Sequence, residues 1–243
     1  MKPSLKNPKR KVEWAKEQFD ILNTEIINFQ KMNPPRITDY EDLQNALYIR
    51  QFEIPLIDIR LAIIAGDAIS NLRSTLDHIA WQLALTTTER PLDRTCFPIL
   101  DKDTSKKMST FKQVTRDIPT EAVNEIKLLQ PYQRGDAYKD DILWKLDKLC
   151  NITKHRVIPA QGTAVDSKIP KINNIRFGTF NNKPAVFMPI SVKTQMKFAP
   201  KPTFDIVFGS EVDGLVISYR ELPNIYNYIR DTVLPKFVRF FSE

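Results

Sequence analysis

The longest proline-free part of the chain, residues 57–87, has the most regular spacing of apolar side chains. Apolar residues recur every three or four positions, which is typical of a helix that packs one face against a core. These residues are Leu61, Ala65, Ala68, Ile69, Leu72, Leu76, Ile79 and Leu83. The opposite half is polar and includes Asn71, Arg73, Asp77 and His78. We therefore expect one buried face and one face open to a ligand or a partner.

The same spacing predicts further helices in the first two thirds of the chain. Apolar positions from Val12 to Phe29 indicate a helix over residues 7–31, with Asn7 as N-cap, which Asn33-Pro34-Pro35 ends. Alternation of apolar and polar residues predicts a strand over 46–54. Residues 88–118 read as a surface loop with a short extended piece at 95–97. Two more helices are predicted, one from Asp117 or Pro119 to Gln130 and one from Asp136 to His155.

After Arg156 the apolar period changes from near 3.6 to near 2, which predicts short strands. The predicted strands cover 157–165, 173–180, 184–192, 204–209 and 215–219. Asn181-Asn182-Lys183 and Asp213-Gly214 are typical of hairpin turns, so these strands should form an antiparallel sheet. Helical spacing returns from Leu222 to Phe241, where Pro235 should kink or split the helix.

These elements predict an α+β fold, with a helical bundle around the long central helix, a C-terminal antiparallel sheet and a closing helix. We interpret residues 1–243 as a single domain. Its parts are a mainly helical part (1–156), an antiparallel β part (157–220) and the closing helix (221–243).

The amino-acid composition indicates which cellular compartment and which classes of partner are to be expected. The net charge of +7 favours acidic partners, with nucleic acid first and anionic lipid second. A basic cluster at the first helix could contact phosphates; it consists of Lys6, Lys9, Arg10, Lys11 and Lys16. Cys96 and Cys150 suggest neither a disulfide framework nor a metal site, so a reducing cytoplasm fits best. We expect neither a secretion signal nor a transmembrane segment.

The two histidines of the chain, His78 and His155, each lie in a polar row on a predicted helix. Asp67, Asn71, Ser74 and His78 form the first row, and Asp147, Asn151 and His155 form the second. If the helices are neighbours, the rows could face one another across a polar pocket. One imidazole could then take a ribose hydroxyl proton while the other protonates the leaving oxygen. The alternative is that these polar pairs only fix helix packing.

The sequence Arg73-Ser74-Thr75-Leu76-Asp77-His78 reads R-x4-H and resembles the signature of the HEPN superfamily of helical domains. The resemblance implies a metal-independent ribonuclease in which Arg73 and His78 act on RNA, usually in a cleft between two protomers. In an unbroken helix the two side chains project about 140° apart. Arg73 can instead form an ion pair with Asp77. In general look, the segment NLRSTLDHIAWQL, followed later by CFPI, LLQPYQ and NITKHR, is similar to uncharacterised bacterial or phage-borne proteins, and this similarity implies no activity.

Other chemistries have no matching motif. The sequence contains no phosphate-binding glycine loop, no dinucleotide-binding fingerprint and no nucleophile elbow. It also lacks zinc- or iron-binding spacings, so we expect no cofactor and no metal.

The leading hypothesis is a HEPN-like RNA-binding protein or metal-independent endoribonuclease, acting in phage defence or as a toxin, with RNA and a second copy of the chain as candidate partners. Arg73, His78 and His155 would be catalytic. The substrate would be held by Asn71, Asn151, Lys154 and Arg156. The alternative is a noncatalytic protein- or ligand-interaction module. A peripheral membrane or nucleoid binder ranks third, because the apolar face of the first helix is needed for the core.

Overall fold

In the computed structural model, which describes residues 2–165, 176–192 and 203–241, the two longest helices lie where the apolar spacing predicts them. Helix α1 spans Lys6–Met32, and helix α2 spans Ile59–Ala84. All eight apolar positions predicted for the core face of α2 are buried. Among the described residues, no helix combines the length and the apolar content that crossing a membrane requires.

The middle of the chain contains one more helix than the sequence predicts. Helix α3 (Ser105–Val114) lies inside the predicted loop 88–118, so that part of the loop prediction is wrong. Only Phe111 of α3 is buried, and one buried side chain gives almost no apolar period. No strand forms over residues 95–97. Helix α4 (Thr120–Leu128) follows as predicted.

The next helix starts later than predicted, because a different element precedes it. Residues Pro131–Asp140 form 3₁₀ turns, and helix α5 spans Ile142–His155. Asp141 caps α5, since its side chain accepts a hydrogen bond of 2.8 Å from the backbone N–H of Leu143.

The strands form two sheets, whose elements are β1 (Arg36–Asp42), β2 (Leu47–Glu53), β3 (Ala160–Val165), β4 (Arg176–Phe180), β5 (Lys183–Pro189), β6 (Thr203–Ser210) and β7 (Leu215–Ser218). One sheet has the order β1-β2-β5-β4 and is antiparallel throughout. The other has the order β3-β6-β7. The strand predicted over 46–54 is β2, and it pairs with β5 from the second half of the chain. Strand β1 is not predicted from the sequence.

Both predicted turns are present. Asn181 and Asn182 have φ of 50° and 59° and connect β4 to β5, where Phe180 pairs with Lys183. A two-residue turn with positive φ at both positions matches the twist of the flanking strands. Gly214, with φ of 72°, lies in the turn between β6 and β7. The part of the predicted strand 173–180 that precedes Arg176 lies outside the described residues.

The C-terminal helix is divided, as Pro235 predicts. It consists of α6 (Leu222–Tyr228), a π-helical turn (Ile229–Val233) and α7 (Leu234–Val238). The N–H of Leu234 bonds to the carbonyl of Ile229, five residues back. The proline ring would clash with the carbonyl of Asp231, and the wider π turn accommodates it.

The chain contains two compact units. The first comprises residues 1–23, 59–159 and 208–243, and the second comprises residues 24–58 and 160–207. The first holds the helical bundle. The second holds a small core of Tyr48, Phe52, Val186 and Met188. The α+β class is as predicted, and the single-domain interpretation stays a prediction.

Candidate functional site

His78 lies in an open groove between α1 and α2. The groove has a volume of about 410 Å³ and is lined by Asn7, Arg10, Lys11, Trp14, Asn71 and His78. We call it the Trp14–His78 groove. Asn71 and His78 are seven residues apart on α2, which is two helical turns, so they share one face as the polar row predicts.

Two hydrogen bonds flank this groove, one from the segment just before α1 to α2 and one from α2 to α1. The backbone N–H of Ser4 donates to Gln82 Oε1 (2.8 Å), and Asn71 Nδ2 donates to Gln18 Oε1 (3.0 Å). Early residues of α1 therefore face late residues of α2, so the two helices are antiparallel. This register places the first three turns of α1 opposite His78.

Trp14 is the large aromatic side chain of the groove, and about half of it (48%) is exposed. The apolar stripe of α1 includes Val12, Ala15 and Phe19, which are buried. Trp14 lies off that stripe, because it is about 200° around the helix from Val12. An indole left in solvent beside cationic residues is able to stack on a planar ligand.

The charge in the groove comes from Arg10 and Lys11. Arg10 forms exposed ion pairs with Glu13 (3.2 Å) and Glu17 (3.7 Å). Lys11 affects the histidine directly: burial lowers the pKa of His78 below its ordinary value, the positive charge of Lys11 lowers it further, and Asp77 opposes both. The imidazole is therefore mainly in its neutral form at pH 7, with one nitrogen as donor and the other as acceptor.

Arg73 lies on another side of α2, facing α5. Its Nη1 donates to Asp77 Oδ1 (2.7 Å) and its Nε donates to Asp147 Oδ1 (3.1 Å). Its Nη2 donates to the carbonyl oxygen of Phe97 (3.0 Å), and Asp77 Oδ1 accepts the backbone N–H of Phe97 (3.1 Å). Only 13% of the Arg73 side chain is exposed. The ion pair with Asp77 that the i,i+4 spacing predicts is confirmed.

The charges of this network offset the burial of the guanidinium. Burial alone would lower the pKa of Arg73, but the carboxylates of Asp77 and Asp147 raise it above its ordinary value. Asn151 extends the network, since its Nδ2 donates to Asp147 Oδ2 (3.0 Å). Arg73 therefore holds α2 and α5 together, and Asn151 bonds within α5 to the carboxylate that Arg73 contacts. These contacts are typical of a packing role.

The structure does not bring the two histidines together. A Cβ built on Gly66 would lie 3.0 Å from Thr153 Cγ2, and Arg73 contacts Asp147, so α2 and α5 are antiparallel. In this register His155 lies opposite residue 64, fourteen residues before His78. At 1.5 Å per residue, this is a separation of about 20 Å along α2. The expectation of one pocket with two imidazoles is therefore corrected.

The remaining predicted site residues follow His155 to the far end of α5. Lys154, His155 and Arg156 are exposed. Arg156 forms an ion pair with Asp213, which also accepts a hydrogen bond from Ser210 Oγ (2.6 Å). Of the residues predicted to act on RNA, His78 and Asn71 line the Trp14–His78 groove together.

Asn7 and Trp14 are groove residues that the sequence reasoning did not assign to the site. The available signal was the position of Trp14 off the apolar stripe of its helix, three residues after Lys11. An exposed aromatic residue on the polar face of a helix, within a basic cluster, is a candidate for stacking on a planar ligand.

Within the described ranges, no group of three or more His, Cys, Asp and Glu side chains is placed to hold a metal ion. Comparisons with protein-family models, with curated proteins and with solved structures found no match to this chain. The functional argument therefore depends on the residues of the groove.

Proposed function

We propose that this protein binds single-stranded RNA in the Trp14–His78 groove. The observation that supports this most directly is the half-exposed indole of Trp14 beside Lys11 and His78 on one open surface. Proteins that bind single-stranded nucleic acid commonly combine an aromatic platform with cations, because the bases of a single strand are free to stack and its phosphates are charged.

Each groove residue has a distinct role in this proposal. Trp14 stacks on one base, an interaction worth about 1–3 kcal/mol. Lys11 and Arg10 contact phosphates, and the net charge of +7 increases the rate of encounter with RNA. The neutral His78 and the amides of Asn7 and Asn71 offer donors and acceptors to base edges and to the ribose 2′-hydroxyl.

RNA binding in this proposal does not use Arg73 or His155. Arg73 holds α5 and the backbone of Phe97, and His155 lies at the far end of α5. The cytoplasmic setting expected from the sequence belongs to the proposal, and it is supported by the two free thiols of Cys96 and Cys150.

Metal-independent RNA cleavage is a second candidate function, and the lowered pKa of His78 favours it. A neutral imidazole open to a groove is suited to take a proton from a ribose hydroxyl. In the arrangement that the HEPN resemblance implies, the second proton-transferring group comes from another copy of the chain. Roles in phage defence or as a toxin would follow from such cleavage.

Binding is tested by fluorescence anisotropy with a 5′-labelled single-stranded RNA of twelve nucleotides across a salt series. We expect Trp14→Ala to weaken binding about tenfold or more, since one stacked base is lost. Lys11→Gln should weaken it and reduce the slope of log K against log salt by about 0.7, the value for one phosphate contact on a single strand.

Two matched variants serve as controls for the binding experiment. Lys9→Gln removes a cation from α1 outside the groove, and Trp144→Phe alters an indole that packs on Tyr138 (5.9 Å between ring centroids). Both should bind RNA like the wild type. If Trp14→Ala and Lys11→Gln also bind like the wild type, the groove is not the RNA site, and a protein or small-ligand partner becomes the better proposal.

Cleavage is tested separately, with the same RNA in EDTA. The second candidate predicts cutting whose rate rises faster than linearly with protein concentration, and which His78→Ala abolishes while His155→Ala leaves it intact. Intact RNA at high protein concentration, or cutting that survives His78→Ala, contradicts it and leaves the binding proposal unaffected.

A further inference from the structure

A second cavity, on a different side of α1, has the features of a small-ligand site. Its volume is about 460 Å³, within the range of ligand pockets. Its walls are α1 and the segment from Tyr219 to Arg230. It is lined by Lys16, Phe19, Asp20, Leu22, Asn23, Tyr219, Arg220, Pro223, Tyr226, Asn227 and Arg230. We call it the Tyr226 cavity, and it shares no lining residue with the Trp14–His78 groove.

The floor of the Tyr226 cavity is apolar and aromatic. Phe19, Leu22 and Tyr226 are buried, with exposed fractions of 7%, 2% and 8%. The rim is polar, because the amides of Asn23 and Asn227 and three cationic side chains are exposed at its edge. An apolar, aromatic floor beneath a charged rim suits a ligand with an apolar ring and a charged group at one end.

The cations of the rim are held in place by aromatic rings. Arg220 lies over the ring of Tyr219, 5.4 Å from its centroid, and Arg230 lies over the ring of Tyr226, 4.9 Å from its centroid. Arg230 Nη1 also donates to the Tyr226 hydroxyl (3.1 Å). Stacking reduces the conformational freedom of a guanidinium. Nε and Nη2 of Arg230 both donate to Asp231 (2.6 Å each), so an anion that binds Arg230 does so in exchange for that carboxylate.

The sign of the rim charge points to an anionic ligand. Lys16, Arg220 and Arg230 contribute three positive charges, and Asp20 is the single carboxylate among the described lining residues. Asp20 pairs with Lys16 (2.5 Å), and Asp231, outside the lining, pairs with Arg230 (2.6 Å). These pairs preserve an excess of positive charge at the rim, and exposed pairs of this kind exchange partners at little cost.

The backbone beneath Arg230 is also unusual. Arg230 is the second residue of the π-helical turn Ile229–Val233, and turns of this type are frequent at functional sites. Pro235 explains why the π-helical turn forms. The turn then determines the direction in which the side chain of Arg230 projects from the helix.

We propose that the Tyr226 cavity binds a nucleoside monophosphate. The base lies against the aromatic floor, and the phosphate, with a charge near −2 at pH 7, contacts Lys16, Arg220 and Arg230. The amides of Asn23 and Asn227 contact the polar edge of the base or the ribose. This assignment does not depend on RNA binding in the Trp14–His78 groove.

The proposal is tested by isothermal titration calorimetry of the full chain with AMP, with the other three ribonucleoside monophosphates as competitors. We expect measurable AMP binding that Arg230→Gln and Lys16→Gln each weaken about tenfold or more, because each removes a charge-assisted contact to the phosphate. Arg116→Gln, an exposed arginine outside the cavity, should bind AMP like the wild type.

Two further probes separate the parts of the ligand. Adenosine and inorganic phosphate should each bind much more weakly than AMP. Adenosine contacts the aromatic floor without the rim cations, and phosphate contacts the rim cations without the floor. The proposal is overturned if AMP does not bind at millimolar concentration, if either probe binds as tightly as AMP, or if both rim variants keep wild-type affinity. Lys16 is exposed, so its variant keeps the fold and remains informative.

Discussion

The guanidinium of Arg73 on α2 and the carboxylate of Asp147 on α5 are joined by a hydrogen bond of 3.1 Å, which fixes the register of the two antiparallel helices. The same guanidinium bonds to Asp77 and to the carbonyl of Phe97. The arginine of the R-x4-H motif therefore acts in this chain as a structural crosslink between α2, α5 and the segment around Phe97.

Removal of the Arg73 side chain should destabilise the fold. We expect Arg73→Ala to lower the free energy of unfolding by about 2–3 kcal/mol, somewhat below the usual loss for a fully buried pair because Asp77 and Asp147 are partly exposed. Urea denaturation measures this loss. Arg10→Ala is the control, since its exposed ion pair should contribute about 0–1 kcal/mol. Equal losses in the two variants would contradict the crosslink.

The close approach of α2 and α5 at Gly66 predicts a change of sign in a double-mutant cycle. In the wild type, Gly66→Ala should be destabilising, because its Cβ would lie 3.0 Å from Thr153 Cγ2. In a Thr153→Ala background the same change should stabilise by about 0.5–1 kcal/mol, since alanine is a better helix former than glycine. Equal effects of Gly66→Ala in both backgrounds would contradict this account of the interface.

The pKa of His78 depends on its neighbour across the groove. Lys11→Gln should raise the pKa of His78 towards its ordinary value, because one of the two lowering influences is removed. NMR titration of the imidazole protons measures this directly, since the chain has only two histidines and His155→Gln identifies the other signal. Lys9→Gln should leave the His78 titration unchanged. If Lys11→Gln and Lys9→Gln raise the pKa of His78 by the same amount, the net charge of the protein, and not the proximity of Lys11, determines that pKa.

His78 should also contribute to the pH dependence of stability. Its pKa is lower in the folded chain than the value near 6.5 expected when unfolded, so the unfolded chain takes up the proton first as the pH falls. Stability is therefore unaffected well above pH 6.5 and decreases below it, until the folded chain is protonated too. His78→Gln should lose less stability than the wild type between pH 7.5 and pH 5.5 in urea denaturation. Parallel pH profiles would refute this contribution.

The long helices and the hairpin turns were predictable from sequence because each leaves a local signal. Eight buried positions repeat at helical spacing along α2, and Asn181-Asn182 satisfies a turn that needs positive φ at both residues. Strand β1 left no such signal, because its residues are almost all exposed and show no alternation. A strand at the edge of a sheet with no buried face can be recognised only from its partner.

The candidate site was predictable only in part, because the sequence does not reveal the direction and register in which neighbouring helices pack. Periodicity places Asn71 and His78 on one face of α2, and this is observed. It does not state in which direction the neighbouring helix runs. The antiparallel packing of α5 places Asp147 at Arg73 and carries His155 away from His78. The groove instead formed with α1, whose exposed Trp14 was visible in the sequence only as an aromatic residue off the stripe.

Both bonds that join the Arg73–Asp77 pair to position 97 end on main-chain atoms, the carbonyl oxygen and the amide hydrogen. Any non-proline amino acid at position 97 supplies the same two atoms. In related chains, position 97 should vary among apolar residues that fill the space beside Phe237, whereas Arg73, Asp77 and Asp147 should be retained or replaced together. Retention of the R-x4-H arginine is therefore to be expected in relatives that have no activity on RNA.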